Sequence, residues 1–520
     1  MAAIITDQLR ILNAKNFIER STSPENSYYM FVGLTNATEY SSNWDFNPPA
    51  PKDALDEDHN VWDSIIALKK ITPENIRHAI RKYQWQSGTV YDMYRHDITR
   101  TNLAKPSKST SLYRSVYYII NSDFRVYICL QNGTTPETPE GKPSLDEPLF
   151  TDLEPREAGT SGDGYIWKYL FTIKPADIVK FDSIDFIPTP SNWPTNEEYA
   201  PIRNNATNSG QLKIITITNR GSGIGTANAV YTNVPIKGDG EGAECTVVID
   251  NNSKVESITV SKGGTNYTYG TVDLIAGNVP KGTVDPTFDV IIPPKGGHGY
   301  DLYSELGAYN VLLYTRIEND TQNPDFITGN KIARIGIVEN PLSYDSSAII
   351  NDEKVSALQA IRLSGNFSLA EFANNGFVEQ TVSLGQTAVG RVVSYDPETG
   401  VLKIWQDRTV SGFNTNGTRD SSPIYGYNLN KFTSSPGQGG NLTIRGGSVN
   451  LDIDTSFSGI TTTINNAGNL KTYYLGQTFV NGIANPEVRK HSGTIIYVDN
   501  RPSITRSKNQ KEDVKVILQF

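Results

Sequence analysis

The apolar positions of this 520-residue chain fall mostly in short runs, continuous or alternating, broken by Gly, Pro, Asn and Asp. That texture predicts many strands joined by turns. Tyr28 to Leu34 is an unbroken apolar run and predicts a buried strand. Ser115 to Ile120 and Arg125 to Leu130 flank the turn residues Asn121-Ser122-Asp123 and predict a hairpin. Gly162-Asp163-Gly164 predicts a tight turn feeding an aromatic strand from Tyr165 to Phe171. Helical signals are few. Leu9, Ile11, Leu12, Phe17 and Ile18 predict a short amphipathic helix over 8–20. Asn47-Pro48-Pro49-Ala50-Pro51 is a loop, because its prolines fix φ and lack donors. A helix is expected after it, with Val61, Ile65 and Leu68 on one face. Thr72-Pro73-Glu74 has the cap, the first-turn proline and the acid of a helix start. The stripe Ile76, Ala79, Ile80 and Tyr83 would continue that helix.

The pattern changes near residue 205. Ile215 to Thr218 precedes a Gly-rich turn at Gly221 and Gly223, and Ile258 to Ser261 precedes a similar turn at Gly263 and Gly264. The pairs Ile224/Tyr267 and Ala229/Val272 keep the same offset, which predicts two copies of one β unit. Pro293-Pro294-Lys295-Gly296-Gly297 closes the segment. Strands are expected over 309–314 and 332–338, then a helix over 353–362. Arg391 to Tyr395 and Val401 to Trp405 flank Asp396-Pro397-Glu398-Thr399-Gly400, a hairpin signal. Residues 411–485 are polar and include Gly437-Gln438-Gly439-Gly440. The runs His491 to Pro502 and Asp513 to Phe520 predict a C-terminal hairpin tied into a sheet.

Composition supports the β reading. Hydrophobic residues are only 37%, while Tyr (27), Gly (43) and Pro (28) are plentiful and Met (3) is scarce, as short strands and many turns require. A net charge of −9 argues against a nucleic-acid surface, which needs clustered Lys and Arg. Cys129 and Cys245 lie far apart on apolar runs and are expected as buried thiols, which fits assembly in a reducing compartment. The N-terminus lacks the basic and apolar regions of a signal peptide, and no apolar run reaches the ~20 residues of a bilayer span.

Candidate chemistry is sparse. His59, His78, His96, His298 and His491 show no metal-ligand spacing, so no metal or cofactor is expected. Asp56-Glu57-Asp58-His59 is an acidic cluster at a helix start, expected as solvated charge favourable to the dipole. Gly221-Ser222-Gly223-Ile224-Gly225 lacks the following helix of a phosphate loop and is expected as a turn, as is Gly296-Gly297-His298-Gly299. Asp163 and Asp452 are two carboxylates that a glycosidase would pair only if they met in space. Trp44, Trp62, Trp85, Trp167, Trp193 and Trp405 are expected as core or interface anchors.

Several segments, in one order along the chain, resemble the dimeric baseplate wedge family of T-even-type contractile-tailed bacteriophages. They are Ser41-Ser42-Asn43-Trp44 with the proline loop and the region through Trp62 and Ile76; the aromatic run from Gly162 to Phe171; Ile335 to Leu342; and His491 to Phe520. The resemblance implies a layered β-sandwich core with helix-bearing loops, mainly β with a few helices, into which two small β-domains are inserted. The expected division is wedge core at 1–204, inserted β-repeat at 205–296, core at 297–350, a second β-rich insertion at 351–485, and the C-terminal core hairpin at 486–520. It further implies a non-enzymatic structural subunit of the virion tail, present in the host cytoplasm during assembly. That subunit would be a homodimer contacting other wedge proteins, with no nucleic acid or membrane partner. Trp44, Trp62, Tyr165, Trp167, Tyr497 and Arg501 are the expected interaction residues. The alternative is a tail protein that binds or degrades host-surface polysaccharide, suggested by the β-repeat and the many Tyr, Asn and Gly residues.

Overall fold

The computed structural model describes residues 5–34, 44–206, 210–318, 331–374, 376–406, 430–466, 468–507 and 510–520. The protein is mainly β, with strand at 42% and helix at 11%. It forms two compact units, one from Met1–Ile18, Ile76–Leu313 and Val516–Phe520, the other from Glu19–Asn75 and Tyr314–Lys515.

Among the described residues of the first unit, two cores stand out, with Ile214 and Ile291 reaching from the segment of the smaller into the larger. The larger lies on an antiparallel sheet ordered Tyr118–Ile120, Arg125–Asn132, Tyr165–Thr172, Arg156–Glu157. The expected hairpin turn is held by Asn121, whose Oδ1 accepts from the amides of Asp123 and Arg125. Tyr117, Tyr127, Trp167, Phe171 and Trp193 fill this core. The smaller core draws only on residues from Leu212 to Ile292 and is mostly aliphatic. Its sheet runs Val255–Thr265, Glu241–Ile249, Val230–Gly238, Gly270–Val272, beside the pair Ile214–Asn219 and Thr287–Ile291. The repeat-related residues Ile215 and Ile258, and Ile224 and Tyr267, all bury in it. The two glycine pairs sit differently: Gly221 and Gly223 turn the chain outside any strand, whereas Gly263 and Gly264 lie inside the strand Val255–Thr265, although Gly264, like Gly221 and Gly223, has a positive φ. Cys129 is buried in the larger core and Cys245 in the smaller, both as free thiols.

The second unit contains an antiparallel sheet ordered Lys354–Ser356, Ile65–Lys70, Tyr28–Leu34, Lys331–Glu339, Thr494–Thr505. Tyr28–Leu34 is buried along its whole length, as its continuous apolar run predicts. Val61 and Trp62 of the helix Leu55–Ser64 pack with Tyr29, Phe31 and Leu68. A second sheet runs Val449–Asp452, Thr443–Gly446, Phe377–Ser383, Gln386–Asp396, Val401–Trp405, Gln359–Arg362, Ile483–Ala484. It contains the expected hairpin, with Asp396 opposite Val401 and Tyr395 opposite Leu402.

Four expectations fail. The helix through Val61 ends at Ser64, and Ile65 and Leu68 belong to the strand Ile65–Lys70. Thr72-Pro73-Glu74 starts only the 3-10 turn Pro73–Asn75, after which Ile76–Arg81 is a strand. Its residues Ile76 to Ala79 pair with Leu313 to Asn310, and those cross-strand bonds outweigh the local helix signal. The stretch 353–362 is two strands, Lys354–Ser356 and Gln359–Arg362, that join different sheets. The C-terminal strands are not a hairpin: Thr494–Thr505 pairs with Lys331–Glu339, and Lys511–Gln519 lies beside Asn310–Glu318. Each strand adds to the edge of a different sheet instead. Ser41, Ser42, Asn43 and residues 411–429 of the second expected insertion lie outside the described residues.

Candidate interaction surfaces

The six expected interaction residues separate by burial. Tyr165 and Trp167 stand at alternate positions of the strand Tyr165–Thr172 and are both fully buried. Their rings stack at 5.3 Å, and Tyr91 meets Trp167 edge-on at 5.9 Å. The Tyr165 hydroxyl donates to the Lys142 carbonyl (2.7 Å) and accepts from the Tyr91 amide (2.9 Å). Among the described residues the Trp167 indole N–H has no hydrogen-bond partner, so there its contribution is packing. Asp163, two residues earlier, accepts from the amides of Leu145 (2.8 Å) and Tyr165 (3.0 Å). It staples the long loop between the strands. Asp452, in the other unit, accepts from the Thr443 hydroxyl at 2.6 Å. Both carboxylates are thus engaged in holding backbone and side chains locally.

Trp44 is likewise fully buried, but it brings a surface segment with it. Its indole N–H donates to the Arg501 carbonyl at 3.0 Å. The Arg334 guanidinium, 1% exposed, lies 5.5 Å from the Trp44 ring. Arg334 Nε donates to Asn500 Oδ1 at 2.9 Å, and its NH2 faces Glu57 at 3.4 Å. Asn500 in turn donates from Nδ2 to the Pro49 carbonyl at 3.0 Å. Asp45 sits between Lys331 (2.8 Å) and the Ser503 hydroxyl, which hold its carboxyl below the usual carboxylate range. The proline loop is therefore pinned by polar contacts across the Thr494–Thr505 strand. Arg501 itself is exposed and pairs with Asp499 at 2.6 Å; Tyr497 is half-buried.

Trp62 is buried beside a second polar cluster. His491 Nε2 meets the buried Asp63 carboxylate at 3.0 Å, and His59 Nδ1 lies 3.0 Å from His491 Nδ1. The acidic cluster at 56–59 is thus not simply solvated: Glu57 faces Arg334 and His59 meets His491.

The remaining buried polar groups also hold structure. His298 pairs with the buried Glu305 at 2.7 Å, whose other oxygen accepts from the Gly299 amide at 2.6 Å. Lys168, 3% exposed, donates to the Leu153 carbonyl (2.6 Å) and Asn205 Oδ1 (2.7 Å), and burial lowers its ammonium to about 8. Gly221 and Gly223 precede the strand Val230–Gly238 with no helix between them, as expected of a turn. Sequence reasoning missed the 270 Å³ cavity beside Arg95 in the first unit. Arg95 is already paired there, with Asp97 at 2.7 Å and Asp289 at 3.0 Å. Arg334, Asn500 and Asp63 were missed too, since partners hundreds of residues apart leave no local signal.

Comparison with known proteins bears on this arrangement. Residues 3–143 match the family described as Bacteriophage T4, Gp8. Over 229 residues the chain is 25% identical to baseplate wedge protein gp8 of Enterobacteria phage T4, a match covering 39% of this chain and 64% of that protein. The chain thus spans somewhat less than two thirds of that relative's length.

Proposed function

We propose that this chain is a structural subunit of a phage tail baseplate, working as a homodimeric wedge component that links neighbouring wedge proteins during assembly and tail contraction. The match to a T4 baseplate wedge protein carries this reading. The mainly-β architecture suits it, and the buried polar groups described above support it by their use in pinning loops to sheets. The virion tail would be its final place and the host cytoplasm its place of assembly. No catalytic role is assigned. In this reading Tyr497 and Arg501 offer accessible contact area, while Trp44, Trp62, Tyr165 and Trp167 shape the surfaces from beneath.

The segment 205–296 is proposed as an inserted β-domain, and 351–485 as a second, in an otherwise wedge-like core of 1–204, 297–350 and 486–520. Two observations support the first insertion. Its core uses only its own residues. Its ends also meet: a Cβ on Gly297 would stand 2.2 Å from the Ala206 carbonyl oxygen, so the chain leaves and returns at one place.

Particles produced without this chain test the role. Electron microscopy of the lysate should show tails or baseplates that fail to complete. Complete, contractile particles that merely fail to adsorb would favour the polysaccharide-binding alternative, which a glycan array or capsule-clearing assay with the purified chain would then check.

A further inference from the structure

Lys168 stands on the strand Tyr165–Thr172, paired with Ile128, and only 3% of it is exposed. A buried ammonium normally needs a carboxylate beside it. The partners of Lys168 among the described residues are instead two neutral oxygens, the Leu153 carbonyl at 2.6 Å and Asn205 Oδ1 at 2.7 Å. A neutral amine has two hydrogens to give. These two bonds use both and leave its lone pair over. Burial lowers the amine to about 8, so half of it is neutral at a pH where an ordinary lysine is almost wholly charged. A lysine desolvated in this way is a nucleophile. It faces a carboxamide held in one orientation, since Asn205 Nδ2 donates to Glu154 Oε1 at 2.7 Å. Turning that amide over would set its NH2 against the amine and its oxygen against the carboxylate. Lys213 holds the other Glu154 oxygen at 3.3 Å. Lys168, Asn205, Lys213 and His298 also line a 20 Å³ cavity, room for one molecule of the size of water.

We propose that Lys168 and Asn205 join slowly in the folded chain through an isopeptide bond. The Lys168 Nζ lone pair attacks Asn205 Cγ and the Cγ–Nδ2 bond breaks. One proton passes from Nζ to Nδ2 by way of the Glu154 carboxylate, and ammonia leaves. Nothing is oxidised or reduced, and no outside reagent is consumed. Holding amine and amide in contact supplies the effective concentration that the two groups lack in solution. Among the described residues no donor but Lys168 reaches Asn205 Oδ1, so little stabilises the developing oxyanion and the step is slow. Freshly made protein therefore keeps Lys168 as a free, titrating amine. The bond ties the strand Tyr165–Thr172 to the last residue of the helix Ala200–Asn205. That residue lies just ahead of the segment that forms the smaller core, so the aromatic core is stitched where the chain leaves it. The chemistry is independent of the baseplate role.

Mass spectrometry of the full chain tests it. Fresh protein should have the mass of its sequence. Protein aged at a pH above about 8 should lose one ammonia per chain. Its tryptic digest should then hold a branched peptide joining residues 168 and 205, uncut after Lys168. Two pH units below 8 the rate should fall on the order of a hundredfold from its plateau, following the neutral amine. Asn205→Ala, at a part-exposed position, should fold and keep its full mass on ageing. Glu154→Gln can still accept from Nδ2 but cannot carry the proton, and it should join roughly a hundredfold more slowly. An unchanged mass in the aged wild type would overturn the proposal. So would ammonia loss without the branched peptide, which marks a succinimide closed by Asn205 on its own backbone. Equal rates in wild type and Glu154→Gln would overturn the relay.

Discussion

The two cores of the first unit are built on different plans. The larger is aromatic and braced by buried polar contacts: Tyr165 to Lys142 and Tyr91, Asp163 to Leu145, Asn132 to Tyr91. The smaller, from Leu212 to Ile292, is aliphatic, and its chain turns on glycines. Between them run ion pairs at the surface: Arg220 with Glu137 at 2.8 Å, Arg95 with Asp289 at 3.0 Å, and Lys213 with Glu154 at 3.3 Å. The family match at 3–143 falls on the aromatic side. The contrast teaches that the braced part sets loop positions through long-range polar bonds, while the aliphatic part needs only its own packing.

The strongest way to break this comparison is at Trp167. Trp167→Ala should cost ~3–5 kcal/mol, because it empties the centre of the stacked cluster. Urea titration followed by tyrosine fluorescence should show it, with the loops stapled by Tyr165 and Asp163 losing protection from hydrogen exchange. Trp167→Phe should cost far less, since the indole N–H has no bond to lose. At Ile249, 1% exposed in the smaller core, substitution to Ala should cost ~2–5 kcal/mol locally. Faster exchange should then be confined to roughly 212–292. Spread of that effect into the strand Tyr165–Thr172 would erase the distinction between the two cores.

Lys168 sharpens the comparison through pH. Burial lowers its folded value to about 8 from an ordinary 10.5, so between those values the unfolded chain binds more protons. Its contribution therefore favours folding more as pH rises through that window. The buried thiols Cys129 and Cys245, pushed up by burial, act in the opposite sense, because they ionise only when unfolded. The difference between wild type and Lys168→Met isolates the lysine. That difference should move in favour of the wild type by at most about 1 kcal/mol per pH unit above 8. The smallest effect is expected at Glu137, which Arg220 holds at about 2. This pair is exposed, so Glu137→Gln should cost below ~1 kcal/mol near neutral pH. Whatever the pair contributes should fade as pH falls from 4.5 towards 2.

Much of the fold was legible because local pattern and final environment agree. Tyr28–Leu34 is continuously apolar and buried on both faces; Asn121 and the 396–400 turn carry their own turn chemistry. The failures occurred where a local signal was outvoted. Thr72-Pro73-Glu74 does start a helical turn, but Ile76–Arg81 gains a sheet partner on either side, Phe186–Pro188 and Asn310–Glu318. Val355 and Ile361 both fall in the expected helix 353–362, yet each serves a different sheet. Pairing of the two C-terminal strands was equally hidden, since a turn between strands says nothing of which edges they join. The interaction residues were legible as aromatics and illegible as surface: Trp44 acts through a carbonyl and a guanidinium far away in sequence.

Cross-linking mass spectrometry on intact particles carrying this chain tests the wedge role most directly. The account predicts links from residues near 60–100 and 490–520 to a second copy and to other baseplate proteins. Links confined to tail fibres, with 205–296 and 351–485 exposed at the tip, would contradict it.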